Sequence, residues 1–365
     1  MKPKILFIMH YPPPVHGASL MGQYIRESAL INEAFQCHYI KPSAAKSLSE
    51  LKKVRLEKFT FLLSFHYRLI KNYLKIKPTL CYFTANSWGL PFYRDFITIL
   101  VLKILRAKII VHFHNKSKAT FRNKKHNKLL YRFFFKGIRA IFLADVLADE
   151  FRQYIAPEKI YICPNGIPIT VKTAVEKQCP VEPFSFLFLS NMMRAKGVLT
   201  LLEACSTLKT EGYNFRCEFV GQWSDISEDF FTEKVAEYGI DACVQAYGAK
   251  YYAEKQEYFL RADAFVFPSF DETMGLVLLE AMEFSLACVS TNVGGIPTIV
   301  KDGQSGLLVE AGDAGALAEK MKYLIKNPQL CIEMGKTGRT FFEEKFCLQR
   351  FEEKFLRVLE SSTNK

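Results

Sequence analysis

Two glutamates, Glu272 and Glu280, stand eight positions apart in the apolar stretch PSFDETMGLVLLEAM, residues 268–282. The segment 264–284 reads as a buried strand, AFVFPS, an exit loop, FDE, and a helix from Thr273. On that reading Glu272 lies at the helix N-terminus, with Glu280 about 12 Å further along at 1.5 Å per residue. Leu276, Val277, Leu278, Leu279, Ala281 and Met282 surround Glu280 with apolar side chains, so the helix is expected to be buried. A carboxylate there needs a partner or a ligand to offset its desolvation. The vicinal hydroxyls of a sugar or ribose are such a ligand, because an ionised carboxylate accepts hydrogen bonds from both. Backbone N–H groups of Thr273, Met274 and Gly275 would reach another part of the same molecule. The competing assignment is an acid at a helix N-terminus followed by a buried salt bridge. Spacing by itself does not choose between them.

Four other loops carry residues suited to the same ligand. In SNMMRAKG, residues 190–197, Arg194 and Lys196 follow a strand and precede a helix, a place that attracts phosphate. In TNVGGIPTIV, residues 291–300, Gly294 and Gly295 permit close backbone approach and Pro297 suits a first helical turn. In PPPVHGASL, residues 12–20, Gly17 and Ser19 are placed to cradle an anion at the helix that follows. In VHFHN, residues 111–115, His112 and His114 alternate along a strand and so share one side, with His114 at the exit end. All seven histidines precede residue 127, so histidine chemistry must come from the first half of the chain. No further ligands stand at workable spacing from this pair, and no metal site is expected.

The elements that must hold these loops alternate between strand and helix. Short apolar runs at 4–9, 79–84, 107–114, 140–144 and 159–167 fall in the first half, with a helix over 97–105. Residues 168–183 carry three prolines and little periodicity, as a linker does. Runs at 184–190, 216–221, 244–248, 264–269, 287–291 and 306–310 follow, each with helical sequence after it. Continuous apolar strands between helices indicate parallel sheets covered on both faces. The expected fold is α/β, two doubly wound Rossmann-like domains. The expected division is residues 1–170, a linker over 171–183, residues 184–345, and a C-terminal helix over 346–365 that packs back on the first domain. Ligands of such sheets bind outside the carboxyl ends of the strands, so two domains with their loops facing a central cleft would share one site.

Composition narrows the function further. With 365 residues, 49% hydrophobic content and 24% charged residues, the chain is a globular protein of two domains rather than a disordered one. Its longest apolar run, FITILVLKIL, is interrupted by Lys103 and is too short to span a bilayer. The N-terminal MKPKILFIMHYPPP reads as a first strand, not a leader. Ten scattered cysteines form no CxxC, as expected of reduced, mostly buried thiols in a cytoplasmic protein. The net charge of +12 is uneven: residues 1–180 hold 30 Lys and Arg against 10 Asp and Glu, and residues 181–365 hold 19 against 27. The strongest basic block, residues 116–139, has nine Lys and Arg and no acid, with Phe121, Leu129, Leu130, Phe133, Phe134 and Ile138 near helical spacing. A basic amphipathic helix points to an anionic membrane surface, against the bland alternative of a solvated helix with ordinary core contacts. Nucleic acid is the other partner a basic half could serve, but no RNA-binding signature accompanies the charge and the second half is acidic.

Taken in order, these loops resemble the retaining GT-B glycosyltransferases of family 4, also called glycosyl transferases group 1. DETMGLVLLEAM, preceded by PS, is similar to that family's two-glutamate hallmark. RAKGVLTLLEA, the VG at 220–221, VFPS and TNVGGIPTIVKDGQSGLLV follow in the family's order and spacing. The resemblance covers essentially the whole chain and is strongest over 184–310. It implies a retaining, metal-independent hexosyl transfer from a UDP- or GDP-sugar to a glycan or lipid-linked acceptor, without a cofactor. It places Glu280 on the ribose, Glu272 and His114 beside the transferred sugar, and Lys196 on the diphosphate. It adds Gly17, Ser19, Arg194, Thr273, Met274, Gly275 and Leu276 to the donor site. Surface-polysaccharide assembly at the inner face of a membrane would fit. A GT-B epimerase or phosphorylase is the alternative within the same architecture. The chain departs from the family at Ser190-Asn191, where Gly-Arg is usual, at His16-Gly17, where two glycines are common, and at Thr298, where glutamate is usual.

Overall fold

The computed structural model describes residues 2–13, 16–42, 56–171, 173, 175–179 and 182–364. Parts of two sequence expectations, Pro14 and Val15 in the first loop and several positions of the 171–183 linker, lie outside the described residues. The chain forms two compact units, one of residues up to Gly166 together with those from Leu348 onward, the other Ile167–Cys347.

The first unit is built on six parallel strands in the order β2-β1-β3-β4-β5-β6. They are β1 (Lys4–Ile8), β2 (Gln36–Ile40), β3 (Leu80–Ala85), β4 (Ile109–Phe113), β5 (Arg139–Phe142) and β6 (Ile160–Ile162). Strands β1, β3 and β4 are almost wholly buried, which is why they read as continuous apolar runs. Strand β2, QCHYI, was not anticipated. It lies at the sheet edge, half-exposed, and carries no apolar run to announce it.

Helices α1 (Gly17–Glu27) and α2 (Ala29–Ala34) cover one face of this sheet, and α3 (Leu56–Ile76), α4 (Gly89–Ile104) and α5 (Lys125–Phe135) cover the other. The second face is packed with Phe65, Leu69, Phe92, Ile99, Leu102, Tyr131, Phe134 and Phe135 against strand residues such as Phe83, Val111 and Phe113. The C-terminal helix, Leu348–Asn364, lays Phe351, Phe355 and Leu359 onto the first face, beside Ile5, Phe7 and Ile25. The basic block is not one helix over 116–139. A short turn of helix at Ala119–Arg122 ends at Asn123, and α5 starts afresh at Lys125. Its apolar residues therefore divide: Phe134 and Ile138 enter the core, while Leu129 and Phe133 stay exposed.

The second unit also has six parallel strands, in the order β12-β11-β10-β7-β8-β9. They are β7 (Phe184–Leu189), β8 (Phe215–Val220), β9 (Val244–Ala246), β10 (Ala264–Phe267), β11 (Ala287–Thr291) and β12 (Gly306–Val309). Its helices are α6 (Val198–Thr210), α7 (Glu228–Glu237), α8 (Tyr252–Arg261), α9 (Leu276–Glu283), α10 (Ala314–Lys326) and α11 (Pro328–Phe341). The chain winds outward from β7 in one direction and from β10 in the other, so strand order reverses between those neighbours. A crevice opens at such a reversal, outside the carboxyl ends of the strands, because the two following loops turn to opposite sides. The loops at that point are 190–197 and 268–275.

Candidate active site

Lys196 leaves the β7 loop and Glu272 leaves the β10 loop, and the reversal brings them together. Lys196 Nζ donates to Glu272 Oε2 at 2.6 Å, with both side chains about four-fifths buried. Two glycines make the approach possible. Gly197 takes φ 80°, and a Cβ there would fall 2.0 Å from the Pro268 carbonyl oxygen. Gly294 takes φ 54°, and its Cβ would fall 1.8 Å from the Glu272 carbonyl oxygen. The Gly294-Gly295 pair thus seats the loop that bears Glu272, and the Gly295 N–H donates to Thr273 O at 2.9 Å. Close backbone approach was expected there, and the backbone being approached is the protein's own.

Helix α9 begins at Leu276, three residues later than expected, because Gly275 takes φ 74° and interrupts the helical path. Glu272 therefore belongs to the exit loop and not to the first helical turn. Its other oxygen, Oε1, accepts from the Thr273 N–H at 3.1 Å. Thr273 and Leu276 are half-buried, and Met274 is buried.

Glu280 is not enclosed. Leu276, Val277 and Glu280 share a partly open side of α9, while Leu278, Leu279, Ala281 and Met282 go into the core. The Glu280 side chain is 26% exposed, and its Oε1 accepts from Lys255 Nζ on α8 at 2.7 Å. Sequence reading missed Lys255, since a lysine in the charged helix YAEKQEYFLR carries no distinguishing signal. Both acids are thus salt-bridged, Glu272 in the loop before α9 and Glu280 on the partly open side of that helix, and each pair is open enough for a ligand to reach it. A third carboxylate, Glu283, was also missed. It is buried, accepts from Thr170 Oγ1 and the Val171 N–H at 2.9 Å each, and ties the entry segment of the unit to α9. Arg339 joins it, donating to Val171 O at 2.9 Å and to the Glu283 carbonyl.

Arg194 stands apart from Lys196 in what it touches. Its guanidinium lies over the Phe230 ring at 4.8 Å, and its backbone N–H donates to Asp225 Oδ1 at 2.9 Å. Asn191 is exposed. Pro297 sits in the first turn of a short helix, Ile296–Ile299, as its fixed φ favours.

In the first unit, Gly17 opens α1 and is exposed. Ser19 is buried, and its hydroxyl is engaged in a capping box. It donates to His16 O and accepts from the His16 N–H, while His16 Nδ1 accepts from the Ser19 N–H at 3.3 Å. Ser19 thus shapes the start of α1, and the exposed backbone at Gly17 is what remains to meet an anion. His112 and His114 do share a side, with ring centroids 4.1 Å apart, and His112 pairs with the Tyr82 hydroxyl at 2.8 Å. Burial, helped by the charge of His16, pushes the His114 imidazole down to about 4. His114 is therefore neutral at physiological pH. Burial, with Arg94 and His16 adding to it, takes His10 down to about 3. Among the described residues, no group of three or more His, Cys, Asp or Glu is arranged to hold a metal ion.

Residues 172–341 match the sequence profile of glycosyl transferases group 1, a little under half of the chain. That stretch belongs to glycosyl transferases group 1. It contains both lysine–glutamate pairs. A putative colanic acid biosynthesis glycosyltransferase of Salmonella typhimurium is 29% identical over 230 residues, covering 60% of this chain and 56% of that one. An amylovoran biosynthesis glycosyltransferase of Erwinia amylovora is 28% identical over 253 residues, covering 67% and 62%. The chain spans little more than half the length of the curated relatives it matches. Among solved structures, a glycosyltransferase from Rickettsia africae superimposes with TM-score 0.75 at 19% identity, over 99% of this chain and 98% of that one. An Anabaena protein in complex with UDP and glucose gives TM-score 0.71 at 16% identity, over 98% and 99%. The fold is GT-B, an α/β architecture of two Rossmann-like units.

Proposed function

We propose that this chain is a retaining glycosyltransferase that moves a sugar from a UDP-sugar to an acceptor hydroxyl during assembly of a surface polysaccharide. The observation that carries this reading is the Lys196–Glu272 pair, set where strand order reverses and inside the group 1 match. Breaking the sugar–phosphate bond builds positive charge at the anomeric carbon and negative charge on the departing diphosphate. Fixed cations aimed at that diphosphate are the largest source of acceleration such a site offers. Lys196 has three N–H donors, so it holds Glu272 with one and has others for phosphate oxygens. Glu272 thereby positions Lys196 and stays beside the sugar. Neutralisation by a lysine is what lets the reaction proceed without a metal, and no cofactor is needed.

Glu280 takes the ribose hydroxyls, and Lys255 yields or shares its carboxylate when the nucleotide arrives. His114, neutral, offers a hydrogen bond to a hydroxyl of the transferred sugar. Retention follows if the acceptor attacks the face the diphosphate leaves, with a phosphate oxygen taking the acceptor's proton. UDP is favoured over GDP by the Anabaena complex, and a glycan acceptor by the colanic acid and amylovoran biosynthesis relatives.

The test is thermal unfolding with UDP-glucose, UDP-galactose, UDP-N-acetylglucosamine and GDP-mannose. One UDP-sugar should raise the midpoint, and Glu280→Ala should abolish the rise. No response to any of the four would overturn the reading, and a response to GDP-mannose alone would overturn the choice of nucleotide.

A further inference from the structure

The outward faces of α3, α4 and α5 in the first unit are apolar where solvent-facing helix surfaces are normally charged. On α3, Leu63, Tyr67, Ile70 and Leu74 are 59%, 67%, 37% and 59% exposed, at the i, i+4, i+7, i+11 spacing of one helix stripe. On α4, Leu90, Ile97, Leu100 and Ile104 are exposed in the same way, and on α5 so are Leu129 and Phe133. The opposite sides of the same helices fill the core against the sheet, so α4 carries large apolar residues on its outer side as well as on its core side. Such a helix is ordinarily buried. The three helices pack side by side. His66 Nε2 meets Thr98 Oγ1 at 3.2 Å between α3 and α4, and Phe92 lies 4.7 Å from Tyr131 between α4 and α5. With α3 and α4 about 32 Å and 24 Å long at 1.5 Å per residue, the stripes form one broad face. Contiguous exposed apolar surface of that extent marks an interaction site.

Charge identifies the occupant. Residues 58–144 hold eighteen Lys and Arg and a single acid, Asp95. Asp95 is buried and paired with Arg94 at 2.7 Å, so it contributes no exposed negative charge. Lys71, Lys75, Lys124, Lys125, Lys128, Arg132 and Lys136 are exposed on or beside the same helices. An apolar face on helices that also carry many exposed bases matches a lipid surface that offers acyl chains beneath anionic headgroups. A second copy of the chain would bring the same bases against each other, and nucleic acid would leave ten exposed apolar side chains without a partner.

We infer that the α3–α4–α5 face docks the protein on an anionic lipid bilayer, lying in its interface without crossing it. The basic block at 116–139 supplies only one edge of this face, and the apolar centre is α4. The inference does not depend on donor chemistry, since none of these exposed side chains belongs to the proposed donor site.

The experiment is flotation of the full-length protein with vesicles of phosphatidylethanolamine and phosphatidylglycerol, against vesicles of phosphatidylcholine alone. The wild type should float with the anionic vesicles and lose binding as salt is raised. Ile97→Glu combined with Leu100→Glu should cut binding roughly tenfold or more, since two apolar contacts become charges at the membrane. Lys124→Gln with Lys125→Gln and Lys128→Gln should weaken it and flatten its salt dependence. Both sets alter exposed side chains, so the unfolding midpoint and its response to a UDP-sugar should stay as in the wild type. Failure of the wild type to float, or unchanged flotation of folded variants, would overturn the proposal while leaving donor binding untouched. A concentration-dependent dimer seen by light scattering and abolished by Leu100→Glu would assign the face to a second copy and overturn it too.

Discussion

The two units share a six-stranded parallel sheet and differ in almost everything placed on it. The first unit contains all seven histidines, and the second has none. The first is basic and exposes apolar helix faces, while the second sits in the acidic half of the chain and pairs its key acids with lysines. Its loops are seated against each other by glycines with no room for a side chain. The difference fits the division of labour we propose. A site that stabilises a leaving diphosphate needs rigid, closely set charges, because its donors must be aimed before the charge develops. A surface that would receive a membrane, as inferred for the first unit, needs area and charge, and tolerates looser positioning.

The largest effect should come from breaking the seat of the second unit's site. Gly294→Val puts a branched side chain at φ 54° against the Glu272 carbonyl, so it should cost roughly 4 kcal/mol or more and abolish the response to UDP-sugar. Thermal unfolding with and without donor reads both effects, and a variant that binds donor normally would mean the loop is less rigid than the geometry says.

Next in size is Lys196→Ala. Loss of an aimed cation should lower kcat/KM for sugar transfer by about 100-fold, close to 3 kcal/mol, with little change in stability because the pair is a single partly open contact. A drop confined to KM would recast Lys196 as a ground-state binder.

Acid should separate the units. The His114 imidazole sits at about 4 in the folded chain because it is buried, against about 6.5 in an unfolded one. Between those values the unfolded chain binds a proton that the folded chain refuses, so stability is lost as pH falls from about 6.5 to 4. For His114 alone the loss is on the order of 3 kcal/mol, and His10 and His112, also lowered by burial, add to it. Asp95 and Glu150, raised by burial, pull the other way as pH falls through their raised range. Trp88 reports on the first unit and Trp223 on the second. Single-tryptophan variants Trp223→Phe and Trp88→Phe should therefore show the first unit losing structure at the higher pH. Coincident transitions would break this part of the comparison.

The smallest effect is predicted for Arg194→Ala. With the guanidinium stacked on Phe230, its removal should change donor affinity less than about threefold, within the range of an exposed contact. A loss as large as that of Lys196→Ala would show that Arg194 swings in to replace the arginine missing at Asn191.

Much of the fold was legible because buried parallel strands must be continuously apolar, and eleven of the twelve strands among the described residues announced themselves that way. Strand β2 did not, since an edge strand with mixed side chains satisfies no such pattern. The order of loops around Glu272 and Glu280 was legible for a similar reason. A strand exit followed by a helix is a local feature, and a chain passing five of them in a set order leaves a trace. Lys255, by contrast, gave none, because nothing local distinguishes a lysine that will meet Glu280 from one that will meet water. Glu283 was hidden among apolar neighbours, and only its contacts with Thr170 and Val171 explain why a carboxylate is there.

By itself, then, the sequence determined which residue types are present, which segments are buried on both sides, and that the excess of positive charge and all the histidines lie in the first half. Tertiary structure decided the pairings. Lys196 and Glu272 are 76 positions apart, and only the reversal of strand order between β7 and β10 sets them at 2.6 Å. Whether α4 is a core helix or a surface helix was likewise undecidable from its apolar pattern. Burial is a property of what packs against a face, and on its outer face none of the described residues covers Leu90, Ile97, Leu100 or Ile104 enough to bury them.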